Sequence, residues 1–410
     1  MPRLHRAAWV LPISSPPIRD GWVAVEAGRI VAVGGPDHPI SISPDHPISI
    51  SPDHPIARSP DERVILPGLV NCHAHLELSW MHGLVPPAES MPKWAAALIA
   101  LRRTLSGDPP GPIQDAIRQA REFGTSLIGD VTNTMSACEP LADSALSAAI
   151  FHELIGFNTP DPAEVVAAAQ AKVDALPGVR LRGSVVPHAP YSVSPLLLQN
   201  IAKVSARRVV SVHLAESSAE LQFMRDGSGA WRELLEQVGA WNGDWQPPGT
   251  SPVEYLARFG LLHERLLAVH CVQLGEADLA RLGAAGATVV MCPRSNRWTG
   301  AGDPPVARFY ASGVRVAVGT DSLASVEDLS VFAELAAARA LAPAVPADAL
   351  LESATRHGAD ALGFGADLGT IEPGKRADLI AVRIPARIED VEEYLVRGVR
   401  AGQIEWLEAT

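Results

Sequence analysis

Cysteine is scarce in this chain and widely scattered. Cys72, Cys138, Cys271 and Cys292 are the four present in 410 residues, and no two stand in CxxC spacing. Four such thiols are too few to staple a chain this long, which excludes a disulfide-built scaffold and leads to the expectation of reduced thiols in a cytosolic protein. Positive charge is also in deficit. The net charge of -12 and pI near 5.5 argue against nucleic acid or an anionic membrane as partner. No uninterrupted apolar run reaches the length of a membrane span, and the first residues show no basic-then-apolar leader. What remains is ordinary: 47% hydrophobic and 20% charged residues, a globular composition, in a chain long enough for a barrel enzyme with a small extra module.

From about residue 64 the chain repeats one rhythm: an apolar, β-branched run, a polar residue at its end, then a helical stretch. The runs are Val64–His75, Thr125–Thr132, Ala148–Gly156, Val179–His188, Val209–His213, Leu266–His270, Ala287–Cys292 and Val314–Asp321. Helical patterns lie between them, such as Glu327–Leu341, rich in Ala, Leu, Glu and Arg. Near-continuous apolar strands alternating with helices predict a parallel sheet covered by helices. Eight repeats predict an α/β fold, a closed (β/α)8 TIM barrel over residues 64–365, with its active site at the C-terminal ends of the strands.

The flanks read differently. Gly21–Glu26 and Arg29–Val33 are short β-like pieces joined by Ala27-Gly28, and the tail holds Ala377–Arg383 and Val396–Arg400. Two short β segments at each end predict one small β-sandwich built from residues 1–63 plus 366–410. Inside the first flank, Pro-Asp-His-Pro-Ile-Ser-Ile-Ser occurs at 36–43 and again at 44–51, with a third copy begun at Pro52. Its histidines, His38, His46 and His54, suggest metal collection in principle. A tandem duplication in a tolerant surface loop accounts for them more simply, and the prolines forbid regular pairing. The expectation over about 36–59 is an exposed, disordered loop.

His73-Ala74-His75 follows straight after the apolar run Val64–Val70. On a strand, residues two apart project from the same face, so two imidazoles at a strand tip can grip one metal ion from one side. One such pair is weak by itself. Yet His188, His213 and His270 also end apolar runs, as do Glu153 and Asp321, and Glu216 follows His213 by three residues. A lone strand-end histidine is usually structural. This many at one barrel mouth can converge on a single ion.

These residues sit in recognisable segments: Leu66–His75, His213-Leu214-Ala215-Glu216, His270-Cys271, Cys292-Pro293-Arg294-Ser295-Asn296, Gly319-Thr320-Asp321-Ser322 and the closing Gly369–Leu379. Together they resemble the amidohydrolase superfamily, in its mononuclear branch of aminohydrolases acting on nucleobases and nucleosides, over essentially the whole chain. The resemblance implies His73, His75, His213 and Asp321 as ligands of one divalent metal ion, zinc first and iron as the alternative. Binuclear members use a carboxylated lysine on the fourth strand, and Val179–His188 contains no lysine. His270 matches a histidine that contacts the hydrolytic water in this branch and the metal in others. The ion acidifies its water; Asp321 accepts that water's proton, Glu216 shuttles a proton to a ring nitrogen and the departing amine, and His270 stabilises the tetrahedral intermediate.

The substrate-binding candidates are less specific. His188 resembles a histidine that contacts substrate in adenosine-type deaminases of this branch. Glu77 and Ser79 extend the metal motif toward the pocket, and Glu153 stands ready for a base edge, a ribose or a structural partner. His75-Leu76-Glu77-Leu78-Ser79, His213–Ser217 and Cys292–Asn296 look most like the aminodeoxyfutalosine deaminases of an alternative menaquinone pathway. Their substrate carries a carboxylate, which a guanidinium matches in a bidentate fork. Arg294 and Arg297 are the candidate clamp, with Trp298 as a stacking surface. Methylthioadenosine or S-adenosylhomocysteine deamination, triazine hydrolysis and a non-catalytic scaffold are the alternatives. Trp241–Pro248, aromatic and Pro/Gly-containing, reads as a lid over the mouth. The expected partner is a small nucleoside, and a homodimer is the family expectation.

Overall fold

The computed structural model describes residues 2–36, 62–104, 108–178 and 180–407. The tandem repeat, apart from Pro36, and the disorder expected of it lie outside the described residues. Eight parallel strands carry the fold: β1 (Leu69–Ala74), β2 (Thr125–Thr132), β3 (Ser147–Leu154), β4 (Leu181–Pro187), β5 (Val210–Leu214), β6 (Leu266–His270), β7 (Thr288–Met291) and β8 (Arg315–Val318). Their near-continuous apolar sequence follows from burial on both faces; every residue of β2 and β5 is buried. Helices fill the crossovers, several started by a serine whose side chain accepts from the backbone three residues on, as Ser194, Ser217, Ser251 and Ser330 do. The helix predicted from Glu327 begins only at Val331 because Ser330 caps it there.

The strands pair in two arcs, β4-β3-β2-β1 and β5-β6-β7-β8. Two seams close the ring into a barrel, and each runs through a histidine carbonyl. His73 O accepts from Thr320 N and Asp321 N at 3.1 and 2.9 Å, and His188 O accepts from His213 N at 2.9 Å. Asn71 reinforces the first seam, with its side chain bonded to both the backbone and the hydroxyl of Thr320.

The run Val64–His75 turns out to be two strands in different sheets. Arg63–Pro67 pairs with Leu379–Arg383 and with Trp9–Val10, whereas β1 starts after Gly68. A Cβ at Gly68 would stand 2.6 Å from Ser126 Cβ and 2.9 Å from the Trp406 ring, so only glycine lets the chain cross between the sheets here. The five-stranded terminal sheet runs Ile404–Trp406, Leu379–Arg383, Arg63–Pro67, Trp9–Val10, Ile18–Arg19; a three-stranded one holds Arg3–Arg6, Trp22–Glu26 and Arg29–Gly34. Between them Val10, Val23, Val25, Ile30, Ile65, Leu379 and Ala381 form one apolar layer, the sandwich expected of both chain ends. Val396–Arg400 is not one of its strands. Val391–Val396 is helical, capped by Asp390, and the chain's last strand is Ile404–Trp406.

Candidate active site

Four strands deliver polar residues at the same end of the barrel. His73 stands near the tip of β1 with His75 just beyond it; His213 lies one residue from the end of β5, His270 ends β6, and Asp321 follows β8. The chain must bend sharply to aim these groups inward. Ala215, His270, Cys271 and Asp321 all take left-handed φ values of 49°, 70°, 54° and 64°, costly for residues with a Cβ and characteristic of functional loops.

The donor set converges. His73 Nε2 and His75 Nε2 are 3.3 Å apart, and Asp321 Oδ1 lies 3.8 and 3.6 Å from them. His213 and His270 bring further ring nitrogens within 4.8 Å of His73. Ligands roughly 2.0–2.2 Å from a zinc ion in a tetrahedron stand about 3.3–3.6 Å from one another, so the His73–His75–Asp321 spacing fits one divalent ion, with His213 near enough to join it. Burial also holds His73 and His213 well below the usual histidine range, with neighbouring imidazoles adding to the effect; neutral rings are what a metal requires. His213 donates from Nδ1 to His188 O at 3.1 Å, which turns Nε2 toward the centre.

A second layer fixes these groups. Ser295 Oγ donates to Asp321 Oδ2 at 2.5 Å, and Asn296 Nδ2 donates to His270 Nδ1 at 2.9 Å. In that arrangement the His270 proton sits on Nε2, 3.6 Å from Glu216 Oε1. Glu216 Oε2 is buried without a partner. Burial, then the neighbouring carboxylates of Asp321 and Glu220, push the Glu216 carboxyl well above its usual range, which favours a protonated acid able to donate. His188 Nδ1 sits 2.6 Å from Ser192 Oγ, and burial lowers its pKa to about 4.

The remaining sequence-derived residues divide. Glu153 stays at the mouth: Oε1 is 3.4 Å from His213 Nδ1, Oε2 accepts from Asn133 Nδ2 at 3.0 Å, and burial raises its carboxyl to about 7. Glu77 is committed elsewhere. It accepts from Arg102, from the hydroxyls of Thr132 and Thr134 and from the peptides of Asn133 and Thr134. Against the burial that would raise it, Arg102 and those hydroxyls hold Glu77 at about 2.

Arg294, expected as a clamp for a substrate carboxylate, is an internal clamp instead. Its Nε donates to Glu334 Oε1 at 2.6 Å, and its Nη atoms bond the Asp328 carboxylate and carbonyl at 2.8 and 2.7 Å. Arg297 is half-exposed and bonded to Asp303. Trp298 donates to Val85 O and packs against the buried cluster of Leu78, Met81, Val85, Trp94 and Ala324. Sequence pattern alone assigns no site role to Asn133, Arg102, Ser295, Asn296 or Glu220. Ser295 and Asn296 belong to the Cys292–Asn296 segment, and Ser217-x-x-Glu220 is a helix-start signature.

The Amidohydrolase family model matches residues 64–400. The chain belongs to the amidohydrolase family. It is a hydrolase of that family on the expected barrel, and its similarities to individual members extend over most of its length. A 5-methylthioadenosine/S-adenosylhomocysteine deaminase of Desulforudis audaxviator is 31% identical over 400 residues, covering 93% of this chain and 85% of that one. An aminodeoxyfutalosine deaminase of Deinococcus radiodurans is 33% identical over 319 residues, 73% of each chain. Among solved structures, a Xanthomonas campestris adenosine deaminase with bound zinc is 26% identical, with a TM-score of 0.81, covering 99% of this chain and 91% of that one.

Proposed function

We propose that this amidohydrolase removes the 6-amino group of the adenine ring of a 5′-substituted adenosine by hydrolysis, releasing ammonia. The observation that carries the reading is the buried Glu216 carboxyl, partnerless at Oε2 and 3.6 Å from His270 at Oε1, beside the His73–His75–Asp321 and His73–His213–His270 groups that share His73. His73, His75, His213 and Asp321 would hold one divalent ion, zinc first, whose contribution when bound is to make water nucleophilic near neutral pH. Asp321, oriented by Ser295, takes the proton from the attacking water. Glu216, its carboxyl raised by burial, gives its proton to the ring nitrogen next to the carbon under attack. It then takes up the hydroxyl proton of the tetrahedral adduct and passes it to the departing amine, and the proton left on Asp321 restores the Glu216 acid. His270, donating from Nε2, steadies the oxygen that becomes the new ring substituent. His188 and Glu153 flank the base.

Aminodeoxyfutalosine is the substrate that the segments around Glu77, Glu216 and Asn296 favour, and one similar protein carries that name. With Arg294 bonded internally, that half of the expected clamp supports neither this substrate nor S-adenosylhomocysteine, which carries a carboxylate too. Methylthioadenosine or S-adenosylhomocysteine is the second reading, favoured by the name of the relative matched over 93% of this chain. The test is ammonia release by zinc-loaded protein against aminodeoxyfutalosine, S-adenosylhomocysteine, methylthioadenosine and adenosine. Turnover of one of them, reduced roughly 100- to 10,000-fold by Glu216→Gln at unchanged metal content, is the expected result. No turnover of any by metal-loaded protein would overturn the adenine-ring reading.

A further inference from the structure

We infer that Glu220 is a positioning residue, its buried carboxylate gripping the peptides of Ala215 and Glu216 so that the Glu216 side chain faces the reaction. The inference rests on the proton-transfer reading of Glu216 given above. Ser217-x-x-Glu220 starts the helix Ser218–Asp226, and Ser217 Oγ accepts from Glu220 N at 3.3 Å. In an ordinary capping box the acid three residues into the helix reaches back to the capping residue's own N–H. Glu220 is within the influence of that N–H, on Ser217, and also reaches further upstream. Its Oε1 accepts from Ala215 N at 3.0 Å and its Oε2 from Glu216 N at 2.9 Å.

Two further observations give that reach a purpose. Ala215 is left-handed, with φ 49°, a conformation that an alanine keeps only when surrounding contacts enforce it. Glu220 holds one side of that turn, while Ala215 O accepts from Gln273 N at 2.8 Å on the other. Glu216 Oε2 is buried and unpartnered, and the other oxygen has only the 3.6 Å approach of His270 Nε2. The direction of its carboxyl depends on that approach and on its backbone, and Glu220 holds the backbone. Glu220 is fully buried and pairs with no cation among the described residues. A buried carboxylate is an expensive way to cap a helix, but it is the side chain with two acceptors for two adjacent N–H groups.

The substitution that isolates this role is Glu220→Gln, which keeps the shape but replaces one acceptor with a donor facing an N–H. With the best nucleoside of the panel above, kcat is expected to fall roughly 10- to 100-fold, with KM within about twofold, which marks an interaction realised in the transition state. Bound zinc per chain is expected to stay unchanged. In single-turnover assays on the Glu216→Gln background, adding Glu220→Gln is expected to cost nothing further, because both act through one group. An unchanged kcat in Glu220→Gln, or an additive loss in the double variant, would overturn the inference. If Glu216→Gln alone leaves turnover intact, the reading of Glu216 fails first and takes this one with it. Should Glu220→Gln melt below assay temperature, it is read together with Ala215→Gly, which removes the backbone strain. Folding regained without turnover supports positioning; both regained would reduce Glu220 to a folding role.

Discussion

Arg294 shows how far a residue's partners decide its work. Its guanidinium spans the buried Glu334 and Asp328, and it thereby anchors the helix start from which Ser295 and Asn296 reach Asp321 and His270. Burial raises the Glu334 carboxyl from 4.5 to about 7, with Arg294 pulling the other way. Because folding raises this value, the associated stability is complete below about pH 4.5 and declines as pH rises through 7. Arg294→Met removes the cation and raises the carboxyl further, so the melting temperature should drop more at pH 8 than at pH 5.5. At pH 8 the loss belongs to the class of about 3–5 kcal/mol seen when a buried ion pair is broken; equal losses at both pH values would assign Arg294 to packing alone. Gly319 is the other residue whose identity is forced by a neighbour. A Cβ there would stand 2.7 Å from His73 Cβ and 2.9 Å from His73 N. Gly319→Ala should displace His73, at an overpacking cost of about 1–3 kcal/mol, and lower the zinc bound per chain measured by elemental analysis.

At the scale of elements, the segment after the helix Ala230–Gln237 behaves differently from a free flap. Trp245 is buried and stacks on Phe223 at 4.7 Å between ring centroids; Trp241 stacks on Phe157 at 5.6 Å. Phe157 follows β3 and Phe223 lies on the helix after Glu216, so the aromatic cluster ties the segment to two loops of the mouth. The double variant Trp241→Ala, Trp245→Ala should lose stability, by about 3–5 kcal/mol for the buried Trp245, and raise KM for the nucleoside. An unchanged KM in the folded variant would mean that the cluster only packs. Element types were largely legible from the apolar runs, since strands buried on both faces announce themselves. Their ends were not. Val64–His75 reads as one run because nothing in hydrophobicity marks the change of sheet at Gly68, and Val396–Arg400 is β-branched enough to pass for a strand while a cap at Asp390 makes the preceding turn helical.

At the scale of the molecule, barrel closure and site assembly are one event. The seams run through the carbonyls of His73 and His188, and the proposed ligands come from the ends of β1, β5 and β8, which meet only when the ring shuts. An ion held by them links the two arcs. Chelation should therefore lower the melting temperature, and added zinc should restore it, by about 4 kcal/mol of stabilisation when free zinc is a thousandfold above its Kd. A melting temperature indifferent to chelator and zinc alike would mean that these residues do not bind the ion in the folded protein.

The sequence by itself carried the eight-strand rhythm, the β character of both ends and the strand-end places of His73, His75, His213, His270, Asp321 and Glu216. Periodicity and strand-end chemistry are local properties, written over a few adjacent residues. Tertiary structure alone decided which charges were free. Glu77 and Arg294 look available in sequence, yet their partners Arg102, Glu334 and Asp328 lie 25, 40 and 34 residues away. Glu220 looks like a helix cap until the turn at Ala215 brings two upstream peptides within its reach. Pairing across such distances is fixed by how the barrel closes, and burial then converts each pairing into a constraint on charge.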